Sequence, residues 1–202
     1  TYQNQPSIGH WNLWTWLNNL IPSAKPEHKE QFKQDLATCL EQFEPIFLHH
    51  YGQGLCEKMG LPHFHKDSLD CSFAFLRILQ TEQLDYTQSF IRLQNKEYKA
   101  LRDDCLDLRQ FDAFLHQYQE IRKTQDTLEL DRVMQGANPL YILRNHMAQK
   151  AIEQAERGDF SEVDRLFKLL NQPYTRQLDL ETEQDTAPLP SDVPEISVSC
   201  SS

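Results

Sequence analysis

Asn138-Pro139-Leu140-Tyr141-Ile142-Leu143-Arg144-Asn145-His146-Met147-Ala148-Gln149-Lys150-Ala151-Ile152-Glu153-Gln154-Ala155-Glu156-Arg157-Gly158 holds the clearest helical pattern in the chain. Asn138-Pro139 marks a turn. Proline suits the first position of the helix that follows, because its missing N–H would find no intrahelical acceptor there. Leu143, Met147, Ala151 and Ala155 then share one face, and Gly158 is placed to end the helix. Asp159-Phe160-Ser161 starts another, with Ser161 as its N-cap and Val163, Leu166, Phe167 and Leu170 as its core side. Two antiparallel helices joined by Arg-Gly-Asp-Phe are the simplest arrangement of this region.

The same period extends towards the N-terminus. Ile8, Trp11, Trp14, Leu17 and Ile21 form one stripe of a helix over 7–21 that Ser7 can cap. A second helix runs from about Glu27, with Phe32, Leu36, Cys39, Leu40 and Phe43 along it. Pro45 should kink or restart that helix, and the continuation reaches about Met59, with Gly60 as C-cap and Pro62 as a stop signal. Residues 68–80 form a mostly buried helix around Leu69, Phe73, Phe75, Leu76 and Leu79. A short helix over 85–93 opens on Asp85 or Thr87. Charged helical segments follow over 97–108 and 110–123, the latter with Phe111, Phe114, Leu115 and Tyr118 in step, and a brief amphipathic stretch covers 128–134. No stretch alternates apolar and polar residues over six positions, and only 6 of 202 residues are glycine. The chain is predicted to be all-α, a bundle of about ten helices, over residues 1–176.

Composition changes after Pro173. Residues 177–202 hold no Lys or Arg but six acidic side chains, and Pro188, Pro190 and Pro194 interrupt any helix. A flexible acidic tail is expected there, ending in Ser199-Cys200-Ser201-Ser202. Over the whole chain 20 basic residues face 30 acidic ones, a net charge of −10. That balance excludes a general binder of nucleic-acid phosphates, which needs a basic face. No run approaches the roughly 18 apolar residues of a membrane span. The chain opens without a charged segment followed by an apolar one, so no secretory signal is read, and the expected location is the cytoplasm.

Few residue groupings suggest chemistry. His49-His50 and His63-x-His65 invite a metal. However, adjacent helical residues point about 100° apart and no carboxylate or thiol stands at a ligand spacing, so these histidines are read as solvated or core-edge side chains. Gly52-Gln53-Gly54 follows a helix rather than a strand and lacks the context of a phosphate cradle. Trp11 and Trp14 are expected in the core, whereas Trp16 points away from their stripe, towards another domain or a partner. Cys39, Cys56, Cys71 and Cys105 read as reduced, buried thiols. Cys200 alone sits on a polar segment unable to bury it and is the one candidate for redox reactivity.

Several segments, in order along the chain, resemble the selenoprotein O (SelO) family of pseudokinase-like protein adenylyltransferases. Asn4-Gln5-Pro6-Ser7-Ile8-Gly9-His10-Trp11-Asn12-Leu13 is similar to the family's N-Q-P-x-I-x-x-W-N-L stretch, although Trp14-Thr15-Trp16 replaces the Arg and small residues more common there. Lys58-Met59-Gly60-Leu61 and Asp85-Tyr86-Thr87 match further family segments. Residues 138–149 resemble its most specific block, N-P-x-[YF]-[IV]-L-R-N-x-x-A-Q. Ser199-Cys200-Ser201-Ser202 resembles its S-C-S-S ending, where selenium-containing members carry selenocysteine in place of Cys200.

The resemblance implies the later C-lobe and C-terminal helical extension of a protein-kinase-like fold. It implies an intact protein that transfers AMP from ATP to Ser, Thr or Tyr hydroxyls of protein substrates, with Mg²⁺ or Mn²⁺. The family's glycine-rich loop, nucleotide-binding Lys, catalytic-loop Asp/Asn pair and D-[FY]-G aspartate all precede the N-Q-P stretch, and none has a counterpart here. No catalytic, cofactor-binding or metal-binding residue is therefore assigned within the chain. Its expected partners are a missing N-terminal kinase-like portion and the protein substrates of the intact enzyme. A free-standing helical interaction module, or a redox-regulatory tail segment, is the alternative.

Overall fold

The structure, a computed structural model, describes residues 4–63, 65–123 and 125–187. Among these residues there are eleven α-helices and no strand. The chain divides into two compact units, Thr1–Gly54 and Leu55–Ser202.

The first unit contains α1 (Gln5–Leu20), two short 3₁₀ turns (Ile21–Ser23 and Pro26–His28), α2 (Lys29–Glu41) and the first part of α3 (Phe43–Met59). The first helix starts two residues before the expected Ser7 cap. Asn4 occupies the cap position and Pro6 lies in the first turn, where proline is tolerated. Pro45 falls in the first turn of α3 for the same reason, so it restarts the helix rather than kinking one. Phe32, Leu36, Leu40 and Phe43 form the predicted stripe and are half-buried, but Cys39 is exposed. The stripe of α1 is only partly covered. Leu17 and Ile21 are half-buried, whereas Ile8, Trp11 and Trp14 are exposed, as Trp16 is. The expected core position of Trp11 and Trp14 is therefore corrected: no residue of α1 is buried.

The second unit holds the fully buried hydrophobic core, built by the end of α3, α4 (Lys66–Thr81), α5 (Tyr86–Gln94), α6 (Tyr98–Asp103), α7 (Leu108–Lys123) and α8 (Thr127–Ala137). Phe75 of α4 stacks on Phe114 at 4.9 Å and meets Phe90 edge-on at 5.2 Å, geometries that aromatic quadrupoles favour. Phe73, expected inside, faces outwards at 42% exposure, one helical step off the buried side. Gly60 ends α3 in the left-handed region, φ +57°, as its C-cap role requires.

After α8 the backbone departs from the predicted helix. Residues 139–144 are non-helical, and α9 spans only Asn145–Ala155. The amides of Leu140 and Tyr141 donate instead to the Pro173 carbonyl, at 2.7 and 3.4 Å. Leu143, off the helix, is exposed, while Met147 and Ala151 pack against Leu166 of α10 (Ser161–Asn171). Phe160 rather than Ser161 caps α10. Its core side is Glu162, Leu166 and Leu169, with Leu170 half-buried; Val163 and Phe167 face solvent.

The flexible segment expected from Gln177 is also corrected over its first part. Residues 177–187 fold back on the unit and include the one-turn α11 (Glu183–Thr186). Residues 188–202, including Cys200 and the expected acidic tail, lie outside the described residues.

Candidate functional site

Three of the segments singled out in the sequence meet in the second unit. Lys58, one residue before the end of α3, donates from its ammonium to the Ala137 carbonyl at 3.1 Å, and the Asn138 side-chain amide donates back to the Lys58 carbonyl at 2.8 Å. These two bonds tie the ends of α3 and α8 together. The Lys58 ammonium also lies over the rings of Tyr86 and Phe90, at 5.5 and 5.0 Å from their centres. Cations are attracted to the electron-rich faces of aromatic rings at this range. Burial lowers the Lys58 pKa from the usual lysine value.

Asp85 caps α5 by accepting from the Gln88 amide at 2.9 Å, and its other carboxylate oxygen accepts from Arg144 at 2.7 Å. Burial pushes the Asp85 carboxyl up. Arg144 and the amides of Gln88 and Thr87 outweigh it, holding the group below the usual carboxylate range. Arg144 is itself 9% exposed, so this is a largely desolvated pair whose geometry matters more than its charge count. The carboxamide of Asn138 is fully buried with an unpartnered Oδ1, and Arg144 Nε is likewise unpartnered. The arrangement is a joint: cation, carboxylate and rings are spent on one another.

A cleft of about 200 Å³ lies beside this joint, with Arg92 and Arg176 among its lining residues. Arg92 pairs with Asp104 and Arg176 with Glu181, so both guanidiniums already face carboxylates. Among the described residues, no group of three His, Cys, Asp or Glu side chains could hold a metal ion. His49 and His50 are exposed, with rings 5.3 Å apart and nearly perpendicular.

Of the cysteines, Cys56, Cys71 and Cys105 are buried and unbridged. Burial, with Cys56 nearby, pushes the Cys71 thiol up to about 12, and burial pushes Cys105 up to about 11. Such thiols stay protonated at neutral pH and are poor nucleophiles. Sequence reasoning listed the residues of the joint as family segments without seeing that they touch. The hydrophobic Lys58 environment carries no sequence signal, because Tyr86 and Phe90 come from a different helix.

The chain belongs to the protein adenylyltransferase SelO family, whose model matches residues 1–171. It is 36% identical to the protein nucleotidyltransferase YdiU of Pectobacterium atrosepticum, 34% to that of Klebsiella pneumoniae and 32% to that of Salmonella schwarzengrund. Each match covers 100% of this chain but 41% of the relative. No helix among the described residues is long and apolar enough to cross a membrane.

Proposed function

We propose that these residues form the C-terminal supporting part of a protein nucleotidyltransferase that transfers AMP from ATP to Ser, Thr or Tyr hydroxyls of other proteins. The observation that carries this reading is the match along the full chain to relatives more than twice as long. In such a transfer the substrate hydroxyl oxygen attacks the α-phosphorus and gives up its proton. The bond between the α-phosphorus and the bridging oxygen breaks, and pyrophosphate leaves. Catalysis then rests on positioning and on neutralising phosphate charge. Mg²⁺ or Mn²⁺ would supply part of that neutralisation, but the described residues offer no ligand cluster for it. Because the nucleotide- and metal-binding motifs of the family it resembles precede the N-Q-P stretch, this reading assigns ATP and metal to polypeptide outside this chain, and protein substrates to the intact enzyme. Cys200 belongs to the same reading as its redox-active residue.

The 202-residue chain alone, incubated with ATP labelled on the α-phosphate, Mg²⁺ or Mn²⁺ and a cell extract, is expected to label no protein. The same chain, joined in place of its matched portion to the rest of the Pectobacterium atrosepticum relative, is expected to label substrates. Labelling by the isolated chain would overturn the supporting role.

A further inference from the structure

The first unit carries a helix, α1, whose large apolar side chains its own residues leave largely uncovered. In α1, sixteen residues contain no Asp, Glu, Lys or Arg, and none is buried. Helices that face water normally carry charge on the wet side, and helices without charge are normally covered. Here Ile8, Trp11, Trp14 and Trp16 are 50–59% exposed. Trp11 and Trp14 lie on one side of the helix and Trp16 on another, so apolar rings are left uncovered on more than one side of α1. A groove of about 510 Å³ lies beside α1, lined by Leu13, Leu17, Leu40, Phe43, Ile46 and Phe47 among others. Charge is depleted and Trp enriched at the desolvated centre of protein interfaces, which is the composition of α1.

The relatives' greater length argues for one occupant. The family model's match includes residues 5–20 and the relatives align along the whole chain, so α1 belongs to the body that the family shares. Well over half of each relative's length lies outside the match. We infer that the α1 face, with its adjoining groove, is the seat of that remaining nucleotidyltransferase polypeptide. This rests on the proposed function and names the surface through which the supporting part is joined to the rest.

All three tryptophans of the chain lie in α1, so their fluorescence reports this helix alone. In the isolated 202-residue chain, acrylamide is expected to quench them nearly as efficiently as free indole. In the chain joined to the rest of the Pectobacterium atrosepticum relative, hydroxyl-radical footprinting read by mass spectrometry should show Trp11, Trp14 and Trp16 modified at least fivefold more slowly. Phe167, exposed in the second unit, should be unchanged. Unchanged tryptophan rates in the joined chain would overturn the inference. So would quench-resistant tryptophans in the isolated chain, whether it is monomeric or, with a second copy as the occupant, dimeric by sedimentation. The isolated-chain measurement decides even where the joined chain misfolds. AMP transfer by the joined chain with its tryptophans still exposed would leave the proposed function standing and remove the seat; slowed modification without transfer would do the reverse.

Discussion

Arg122 makes most of its contacts through one nitrogen. Its Nη1 donates to the carbonyls of Met59 and Gly60, at 3.3 and 2.9 Å, and to the Tyr118 hydroxyl at 3.1 Å, while Nη2 pairs with Asp131. The guanidinium thus satisfies carbonyls left open where α3 ends. Burial pushes the Asp131 carboxyl up, but Lys96 and Arg122 together hold it below the usual range. Gly60 makes this cap possible. A Cβ there would stand 2.3 Å from Arg122 Nη1 and 2.6 Å from Met134, on a backbone at φ +57° that side chains avoid. Gly60→Ala combines left-handed strain of about 1–2 kcal/mol with overpacking of a buried site, about 1–3 kcal/mol. The expected outcome is a loss of about 3 kcal/mol in urea unfolding, with the midpoint shifted and the slope unchanged; a shift under a third of that would show that the guanidinium can step aside. The glycine's role was legible in the sequence, because a helix stop followed by Pro62 is a local signal. Arg122's role was not, since the Met59 and Gly60 carbonyls it caps lie about sixty residues earlier.

At the scale of elements, the stretch that most misled the sequence reading is the segment after α10. Acidic composition and prolines suggest a free tail from Gln177, yet Arg165 of α10 donates to Glu162 in its own helix and to Asp185. Asp185 also closes a capping box with Thr182, and the Gln88 side chain donates to the Thr186 carbonyl at 2.6 Å. Burial raises the Asp185 pKa, but Arg165 and Thr182 more than offset this and hold it below the usual value; Arg165 likewise holds Glu162 down. Groups with lowered folded pKa values contribute stability that is full above the unfolded carboxylate value, about 4, and lost as pH falls through the lower folded values. Asp185→Asn is therefore expected to cost about 2 kcal/mol at pH 7, where Arg165 keeps Glu162, and clearly less at pH 3. Urea unfolding at both pH values measures this, and an equal loss at the two would refute the ionic origin. A sequence reading weighs 177–187 by its own residues, whereas the structure is decided by Arg165, by Gln88 and by Tyr141, whose hydroxyl accepts from the Gln177 amide at 2.9 Å. The same holds for residues 139–144, where the Pro173 carbonyl draws the backbone away from the helix that Pro139 suggested. Capping by Asp85 and the helical aromatics of α7 were legible because periodicity and caps are local.

For the whole molecule, the uneven placement of the core has a measurable consequence. Every fully buried hydrophobic side chain among the described residues lies at Leu55 or beyond. The apolar residues of the first unit are half-covered, such as Phe32, Leu36, Leu40 and the stacked Phe43 and Phe47, or exposed, such as Trp11 and Tyr51. Burial of apolar area contributes roughly 25 cal/mol per Å², so a unit without a closed core keeps little in hand against the entropy of ordering its backbone. Local openings take their free energy from such differences. Hydrogen exchange of the isolated 202-residue chain should therefore be uneven: amides of α1 and α2 are expected to exchange at least tenfold faster than those of α4 and α7, a gap of about 1.4 kcal/mol or more. Uniform protection across the two units would mean that the half-covered faces suffice, and the first unit would need no cover to be stable. With the α1 face seated against further polypeptide, the gap should narrow while α4 and α7 stay unchanged, because added burial stabilises only the element that receives it.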